Sequence, residues 1–188
     1  MKKILMTMAA TLMAITMNAQ MYIGGSLGFA SMTPEVGDGE TSFKILPEFG
    51  VQFNDNWGVG VTVGYTSNKM QGIALQSSLN GYCSTKGSES AFIFSPYARY
   101  TALKFKSVSV FFDGGFNFVQ GSDAKFTAFG VGIKPGVAVN LNDQLSFVTH
   151  FGYLGYESLN PDGDNNNRSA FGLDLNGNNL TFGLYYNF

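Results

Sequence analysis

Charged side chains are scarce in this chain. Only 13% of its 188 residues are Asp, Glu, Lys or Arg, whereas an ordinary globular domain carries about 25%. Long apolar runs are missing as well, because no stretch after the first residues approaches the ~20 consecutive apolar positions of a membrane-spanning helix. These two deficits argue against a helix-containing soluble domain and against a helical membrane protein.

Cysteine and basic residues are also few. The only cysteine, Cys83, has no second cysteine to pair with, so an internal disulfide is excluded. If Lys2 and Lys3 are removed with a signal peptide, nine basic residues remain against thirteen acidic ones. No basic stripe is left that would indicate nucleic acid as a partner.

The first 19 residues have the layout of a secretory signal peptide. Lys2 and Lys3 form a basic start, Ile4–Met17 an apolar stretch, and Ala19 the small residue before a cut at Gln20. A short buried helix is the alternative, but the terminal position behind two lysines favours export. We therefore expect residues 1–19 to be a signal peptide and residues 20–188 to form one exported domain.

What the chain has in abundance is alternation. In Pro47–Tyr65, large apolar side chains occupy every second position, with glycine, threonine and polar side chains between them. A period of two over two such runs predicts a pair of β-strands with unlike faces. Asn54-Asp55-Asn56 between the runs predicts a tight hairpin turn. Pro135–Tyr153 repeats the pattern without a gap, which favours a closed or stacked β-architecture.

Eight alternating stretches follow one another between Met21 and Phe188. The pattern predicts an all-β fold, an eight-stranded antiparallel up-and-down transmembrane β-barrel with short turns on the periplasmic side and long loops outside. The last stretch changes phase, which predicts a bulge near Gly177. The predicted turns are Asn54–Asn56, Leu103–Lys106 and Asn142–Gln144, and the longest predicted loops are residues 68–90 and 155–169.

The charges of the predicted strands fall on the face opposite to the apolar one. A lipid-embedded barrel needs an apolar outer face, since a charge at the bilayer midplane costs roughly 2–4 kcal/mol. A soluble, lipocalin-like barrel would bury the same charges in its core at a similar or greater cost. We therefore predict that the apolar face meets lipid, with Phe147, Phe151 and Tyr153 outward on the seventh strand. The inward face then carries a polar network in the lumen: Lys44, Glu48, Arg99, Asp113, Lys134 and His150.

The strand plan, the Pro47–Tyr65 hairpin and the terminal sequence NLTFGLYYNF together resemble the small bacterial outer-membrane β-barrel proteins of the OmpA/OmpX type, including the porin-family branch. The resemblance covers residues 20–188 and implies a Gram-negative outer-membrane location, contact with outer-membrane lipid and insertion by the outer-membrane assembly machinery. It also implies that the alternating carboxyl-terminal residues are the signal which that machinery reads: Leu180, Phe182, Leu184, Tyr186 and Phe188.

Possible catalytic and metal sites are weakly supported. His150 is the only histidine and has inward parity, so a hydrogen-bonded lumen residue is favoured over a lipid A-modifying catalytic base. Asp162–Asn166 imitates the opening of a calcium loop, but Asn167 and Leu173 stand where the loop needs glycine and glutamate. We therefore expect no catalytic residue, no metal and no cofactor.

Because an eight-stranded barrel is just filled by its own side chains, charges in the lumen must be paired. We expect Arg99 to pair with Glu48 or Asp113 and the lumen to be closed. The favoured function is a structural or surface-interaction role through the loops at residues 68–90 and 155–169, since loops on a rigid scaffold commonly carry recognition. A narrow porin for small solutes and a lipid A-modifying enzyme are the alternatives.

Overall fold

The computed structural model describes residues 20–32, 40–68, 89–121, 126–161, 168–174 and 181–188. Every regular element within these ranges is a β-strand. The strands form one closed antiparallel barrel of eight strands, which confirms the predicted fold class. No helix among the described residues is long and apolar enough to cross a membrane.

The eight strands consist of ten segments, because the seventh and the eighth are each interrupted once. The segments are β1 (Gln20–Met32), β2 (Glu40–Gln52), β3 (Trp57–Asn68), β4 (Glu89–Lys104), β5 (Val108–Gly121), β6 (Phe126–Asn140), β7 (Leu145–His150), β8 (Tyr153–Pro161), β9 (Arg168–Asp174) and β10 (Thr181–Asn187). β7 and β8 form the seventh strand, and β9 and β10 form the eighth.

Each strand pairs with the next along the chain, and the barrel closes where β10 pairs with β1. This seam holds four residue pairs, which join Tyr22–Gly25 to Leu184–Asn187. On its other side, β1 makes thirteen pairs with β2. Strand pairing is therefore shortest at the seam within the described part of the chain.

Apolar side chains cover the outside of the barrel and polar ones fill its interior. Leu27, Phe92 and Phe112 are exposed, whereas Glu48 and Arg99 are buried. This is the inverse of a soluble barrel and has the polarity required in lipid. The predicted orientation of the two faces is thus confirmed on the first six strands.

The short turns gather at one end of the barrel, together with both ends of the described chain. The Asn187 amide donates to the Gln144 carbonyl at 2.7 Å, and the Phe188 amide donates to the Met21 carbonyl at 2.9 Å. Neighbouring turns are tied in the same way, because the Thr101 amide donates to the Asn56 carbonyl at 2.7 Å. These bonds give the short-turn end a continuous rim.

Three prolines, on β2, β4 and β6, each interrupt the hydrogen-bonded ladder to the following strand. Pro47 falls in the gap of the β2–β3 ladder, and Pro96 falls in the gap of the β4–β5 ladder. Pro135 lies between the part of β6 that pairs with β7 and the part that pairs with β8. A proline has no N–H to donate, so each of them leaves the ladder to the following strand incomplete.

Opposite the interruption at Pro135, the side chains of the seventh strand change face between β7 and β8. Gly152 has a φ of +78°, a left-handed conformation that glycine adopts without steric cost. With Phe151 it forms a break opposite Pro135, whose carbonyl accepts the Phe151 amide at 3.0 Å. Tyr153 is consequently buried at 4% exposure, and its predicted outward orientation is wrong.

The predicted loop at residues 155–169 is wrong for the same reason. β8 continues to Pro161 and β9 begins at Arg168, and both segments are paired, β8 with β6 and with β9. After Gly152 the alternation continues with the opposite phase, and Leu154 and Tyr156 face outward. A single phase carried on from β7 does not match these residues, and for this reason the sequence pattern predicted a loop. Only residues 162–167 lie between the two segments, and the calcium-like stretch falls outside the described residues.

Smaller differences concern the other connections. Leu103 and Lys104 belong to β4, so the turn comprises residues 105–107. Of the predicted 68–90 loop, Asn68, Glu89 and Ser90 are in strands, while residues 69–88, including Cys83, lie outside the described part. The signal peptide and the bulge predicted near Gly177 also lie outside it.

Candidate functional site inside the barrel

Three charged residues form a row across neighbouring strands. Arg99 of β4 is paired in register with Asp113 of β5, and Asp113 is paired with Lys134 of β6. Directly opposite residues project their side chains from the same face of a sheet, and here that face lines the lumen. The side chains of three of the predicted lumen residues therefore originate at one level of the barrel.

Arg99 is the centre of this level. Its Nε donates to Asp113 Oδ1 at 2.7 Å and its Nη2 donates to Asp113 Oδ2 at 2.7 Å. Such a two-pronged pair is the strongest geometry available to a guanidinium and a carboxylate. Nη2 also contacts Glu48 Oε1 at 3.3 Å, so Arg99 links β2 to β4 and β5, and all three residues are buried.

Four aromatic rings enclose the guanidinium. Its carbon lies 4.1 Å from the ring centroid of Phe111 and 5.2–5.4 Å from those of Tyr97, Tyr22 and Tyr185. Tyr22 and Tyr185 are stacked with centroids 5.4 Å apart. The Tyr22 and Tyr97 hydroxyls are hydrogen-bonded at 2.7 Å, and Tyr97 donates to Glu48. We call these seven residues the Arg99 layer: Tyr22, Glu48, Tyr97, Arg99, Phe111, Asp113 and Tyr185.

Glycines on neighbouring strands make room for the rings. A Cβ on Gly50 would overlap the Tyr22 ring, and a Cβ on Gly136 would overlap the Phe111 ring. The small residues that alternate with large apolar ones in the sequence therefore serve the packing of the lumen. This accounts for Gly50 and Gly60 on the small-residue face of the Pro47–Tyr65 hairpin, where a Cβ would overlap Tyr22 and Tyr97 respectively.

His150 extends the layer toward the seventh strand. Its Nε2 lies 2.8 Å from Asp113 Oδ2, and its ring meets the Phe111 ring edge-on with centroids 5.3 Å apart. The structure thus brings His150 together with Arg99 and Asp113, as a hydrogen-bonded residue of the lumen. Within the described residues it has no hydrogen bond to a serine or threonine hydroxyl, so no nucleophile–base pair is formed there.

Lys134 belongs to a second polar group farther from the short turns. Its ammonium donates to Asn117 Oδ1 at 3.1 Å, and the Ser95 hydroxyl donates to the same oxygen at 2.8 Å. Lys134 is the register neighbour of Asp113 but does not form an ion pair with it. The side chain of Lys44, the remaining predicted lumen residue, is not among those the structure describes.

The Arg99 layer separates two cavities. The larger, which we call the vestibule, has a volume of about 730 Å³ and opens among the short turns, with Gln52, Asn140 and Ser146 in its wall. The smaller, which we call the chamber, has a volume of about 120 Å³ and lies on the other side of the layer, with Glu48, Asp113 and Lys134 in its wall. No group of three or more His, Cys, Asp or Glu among the described residues could hold a metal ion.

Residues 4–188 match the family described as outer membrane protein beta-barrel domain. The chain belongs to this family. As a member of it, the barrel resides in the bacterial outer membrane and its apolar outer face contacts lipid. No curated protein sequence matches the chain.

Two solved structures share the fold of this outer-membrane barrel. Neisserial surface protein A is 14% identical, with a TM-score of 0.51, and the match covers 90% of this chain and 96% of that one. The outer membrane protein OprG from Pseudomonas aeruginosa is 15% identical, with a TM-score of 0.52, and the match covers 91% of this chain and 96% of that one. At this identity the likeness concerns the fold alone.

The inward parity of the sequence predicts the ions of the barrel's lumen but not the rings around them. Phe111 and Tyr185 are not predicted as lumen residues, because large aromatic side chains do not fit the polar pattern that is expected of the inward face of a membrane barrel. The signal that could have found them is the match between inward aromatic residues and inward glycines on the adjacent strands, as for Phe111 and Gly136.

Proposed function

We propose that this outer-membrane barrel is neither a pore nor an enzyme, and that its role is structural or interactive at the cell surface. The observation that carries the proposal is the Arg99 layer. Its ion pairs and rings lie between the vestibule and the chamber, and an eight-stranded barrel has no spare width around such a filling. A closed lumen leaves the outer surface and the loops as the parts free to meet partners.

The proposal of a non-enzymatic role rests on the surroundings of His150. The only histidine of the chain points at Asp113 and Phe111, away from the lipid face where a lipid A-modifying site would have to act. Asp113, the acid that His150 contacts, already accepts two hydrogen bonds from Arg99. A general base needs a substrate proton within hydrogen-bond reach, and His150 offers its Nε2 to Asp113 instead.

We infer that partner binding, where it occurs, involves the segment between β3 and β4. This segment is far longer than hairpin closure requires, and it mixes Met70, Ile73, Leu75 and Tyr82 with polar residues. The second candidate segment is reduced to residues 162–167, because β8 and β9 take up the rest. Residues 69–88 are therefore the stronger candidate for a contact surface.

The inferred export route completes the proposal. Residues 1–19 act as a cleaved signal peptide, and the alternating end Leu180–Phe188 is read by the outer-membrane assembly machinery. Deletion of Phe188 is expected to reduce the amount of heat-modifiable barrel in outer-membrane fractions. Normal assembly of the shortened chain would remove this residue from the signal.

Two assays separate the three functional classes. Liposomes containing the purified protein should not swell in small sugars, and the lipid A of a deletion strain should have an unchanged mass spectrum. Swelling at rates typical of porins would favour the pore, and an altered lipid A mass would favour the enzyme.

Replacing residues 69–88 by an Asn-Gly turn should leave a folded barrel that no longer binds to a surface partner of the parent protein.

A further inference from the structure

β9 has a free edge in the part of the barrel that the structure describes. It pairs with β8 along its whole length, and no other described strand pairs with it. Across the seam, β1 pairs with β10 only over residues 22–25, so β9 is not joined to β1 there. The backbone donors and acceptors along one side of β9 are therefore available to a further strand.

The side chains of β9 are more exposed than those of a strand with two neighbours. Phe171 is 77% exposed and Leu173 is 62% exposed, whereas Phe112 and Phe118 on β5 are 41% and 39% exposed. Gly172, on the opposite face of β9, is exposed as well. In an outer-membrane barrel a free edge is costly, because lipid offers no hydrogen bonds to unpaired backbone groups. A further β-strand is the element that supplies those bonds and continues the apolar outer face.

The sequence of β9, RSAFGLD, is complementary to itself when two copies run antiparallel. Arg168 and Asp174 lie at equal distances on either side of Phe171 in this sequence. With Phe171 on a twofold axis, Arg168 of each copy is therefore in register with the partner's Asp174. Opposite charges directly across an antiparallel pair stabilise it, and like charges destabilise it.

The neighbouring strands of the same barrel do not offer this charge match. On β8, the residues in register with Arg168 and Asp174 are the uncharged Leu159 and Tyr153. β1, the strand across the seam, contains no charged residue between Gln20 and Met32. Pairing of β9 with β1 would therefore leave both charges without an opposite charge in register, whereas pairing of two β9 strands matches them at both ends.

We propose that the free edge of β9 is the interface of a homodimer, in which β9 pairs antiparallel with β9 of a second copy about a twofold axis at Phe171. A contact of this kind uses the same surface on both copies and closes after two of them. Backbone hydrogen bonds hold the two strands together, and the Arg168–Asp174 pairs select the partner and the register. The interface lies on the barrel wall, so a monomeric barrel would leave the closed lumen and the proposed surface role unaffected.

Disulfide cross-linking in outer membranes tests the interface. In a Cys83→Ser background, which removes the only native thiol, Phe171→Cys should give a disulfide-linked dimer under mild oxidation. Directly opposite residues of antiparallel strands have Cα atoms about 4.5–5.5 Å apart, and a disulfide spans this distance. Phe182→Cys is the matched control and should stay monomeric, because Phe182 is an outward phenylalanine on β10 that is also half exposed, at 53%.

A second pair of positions serves if Phe171→Cys does not assemble. In the proposed register, Ser169 of one copy lies opposite the partner's Leu173. Copies with Ser169→Cys and copies with Leu173→Cys, carrying different tags in the same Cys83→Ser background, should form a mixed disulfide dimer when they are expressed together. Neither variant should cross-link efficiently with itself, because identical positions are then four residues out of register.

Exchange of the charges tests whether β9 recognises itself. Arg168→Asp places acids opposite each other at both ends of the interface, and Asp174→Arg places arginines opposite each other. Each of these variants alone, combined with Phe171→Cys, should give roughly tenfold less dimer than its parent. A mixture of the two should recover the dimer, because every acid at the interface then lies opposite an arginine.

The outcomes that contradict the homodimer are distinct. If Phe171→Cys assembles into a heat-modifiable barrel and stays monomeric, the edge is covered by its own chain. Equal cross-linking of Phe182→Cys would indicate random collision in the membrane. Cross-linking to a protein of another mass would show that β9 receives a foreign strand. Failure of the mixed charge variants to recover the dimer would show that β9 does not pair with itself in this register.

Discussion

The two hairpins Pro47–Tyr65 and Pro135–Tyr153 have nearly the same pattern in sequence but different structures at their ends. Their turns are capped identically: Asn54 Oδ1 accepts the amides of residues 56 and 57 at 2.9 and 2.8 Å, and Asn142 Oδ1 accepts those of residues 144 and 145 at 2.9 and 2.7 Å. Yet Tyr65 is 39% exposed and Tyr153 is 4% exposed. A shared pattern thus fixes the turn but not the phase of the strand that follows.

The difference arises at one glycine. Gly64 continues an extended strand that pairs with β4, whereas Gly152 adopts φ +78° and ends β7. A left-handed residue inserts an extra position into the alternation, so every following side chain changes face. As a result, the second hairpin places Tyr153 in the lumen and lets β8 continue the barrel.

The two hairpins also contribute different parts to the lumen. The first supplies Glu48 to the Arg99 layer, and the second supplies His150, which contacts that layer through Asp113. Arg99→Ala should break this connection and be the most destabilising of the substitutions, because Asp113 and Glu48 lose their buried counter-charge. We expect a loss of several kcal/mol in the free energy of unfolding, measured by urea titration in detergent.

A control that removes the same charge from an exposed position sharpens this experiment. Lys104→Ala removes a cation at the end of the same strand, and its effect should stay within about 0.5 kcal/mol. Comparable losses in the two variants would mean that the buried ion pairs do not stabilise the barrel.

The glycines that accommodate the rings should be the next most sensitive positions. Gly50→Ala in the first hairpin and Gly136→Ala in the second would push against Tyr22 and Phe111 respectively. We expect each to cost about 1–3 kcal/mol through overpacking, in the same urea titration. Gly114→Ala is the matched control, because an added Cβ there meets nothing within 4 Å, and its stability should not fall.

The phase change itself can be tested at Gly152. Gly152→Ala should lose roughly 1–2 kcal/mol, because a side chain with positive φ is strained. Gly172→Ala in β9, where an added Cβ meets nothing within 4 Å, should be near neutral. If Gly152→Ala is as stable as the parent, the left-handed residue is not what ends β7.

The smallest effect is expected where the hairpins are alike. Asn54→Ala and Asn142→Ala each remove two hydrogen bonds at an exposed turn, and each should cost about 1 kcal/mol. The two losses should agree within the error of the titration. A clear inequality would show that the turns contribute differently despite identical capping.

Much of the fold follows from local pattern. Alternation in Pro47–Tyr65 predicted both strands, their faces and the turn, because a period of two is a property of the extended chain itself. The break at Gly152 could not be predicted in this way, since glycine is compatible with both the extended and the left-handed backbone. Local pattern also does not contain the contact that accompanies the break, the hydrogen bond from the Phe151 amide to the Pro135 carbonyl across the ladder.

Local pattern likewise predicts one part of the candidate site and not the other. The inward parity of Arg99, Glu48 and Asp113 follows from the sequence, and so does the need to pair them. That Arg99 engages both acids while Lys134 turns to Asn117 depends on side-chain directions across four strands. The sequence pattern does not contain that information.

The central claim is that the Arg99 layer closes the lumen, and single-channel recording in planar bilayers tests it most directly. The native barrel should show no steady openings at moderate voltage, because ion pairs and rings fill the level between the vestibule and the chamber. Arg99→Ala, if it inserts, should show more frequent openings than the native protein. Steady, large-conductance openings of the native barrel would contradict the account.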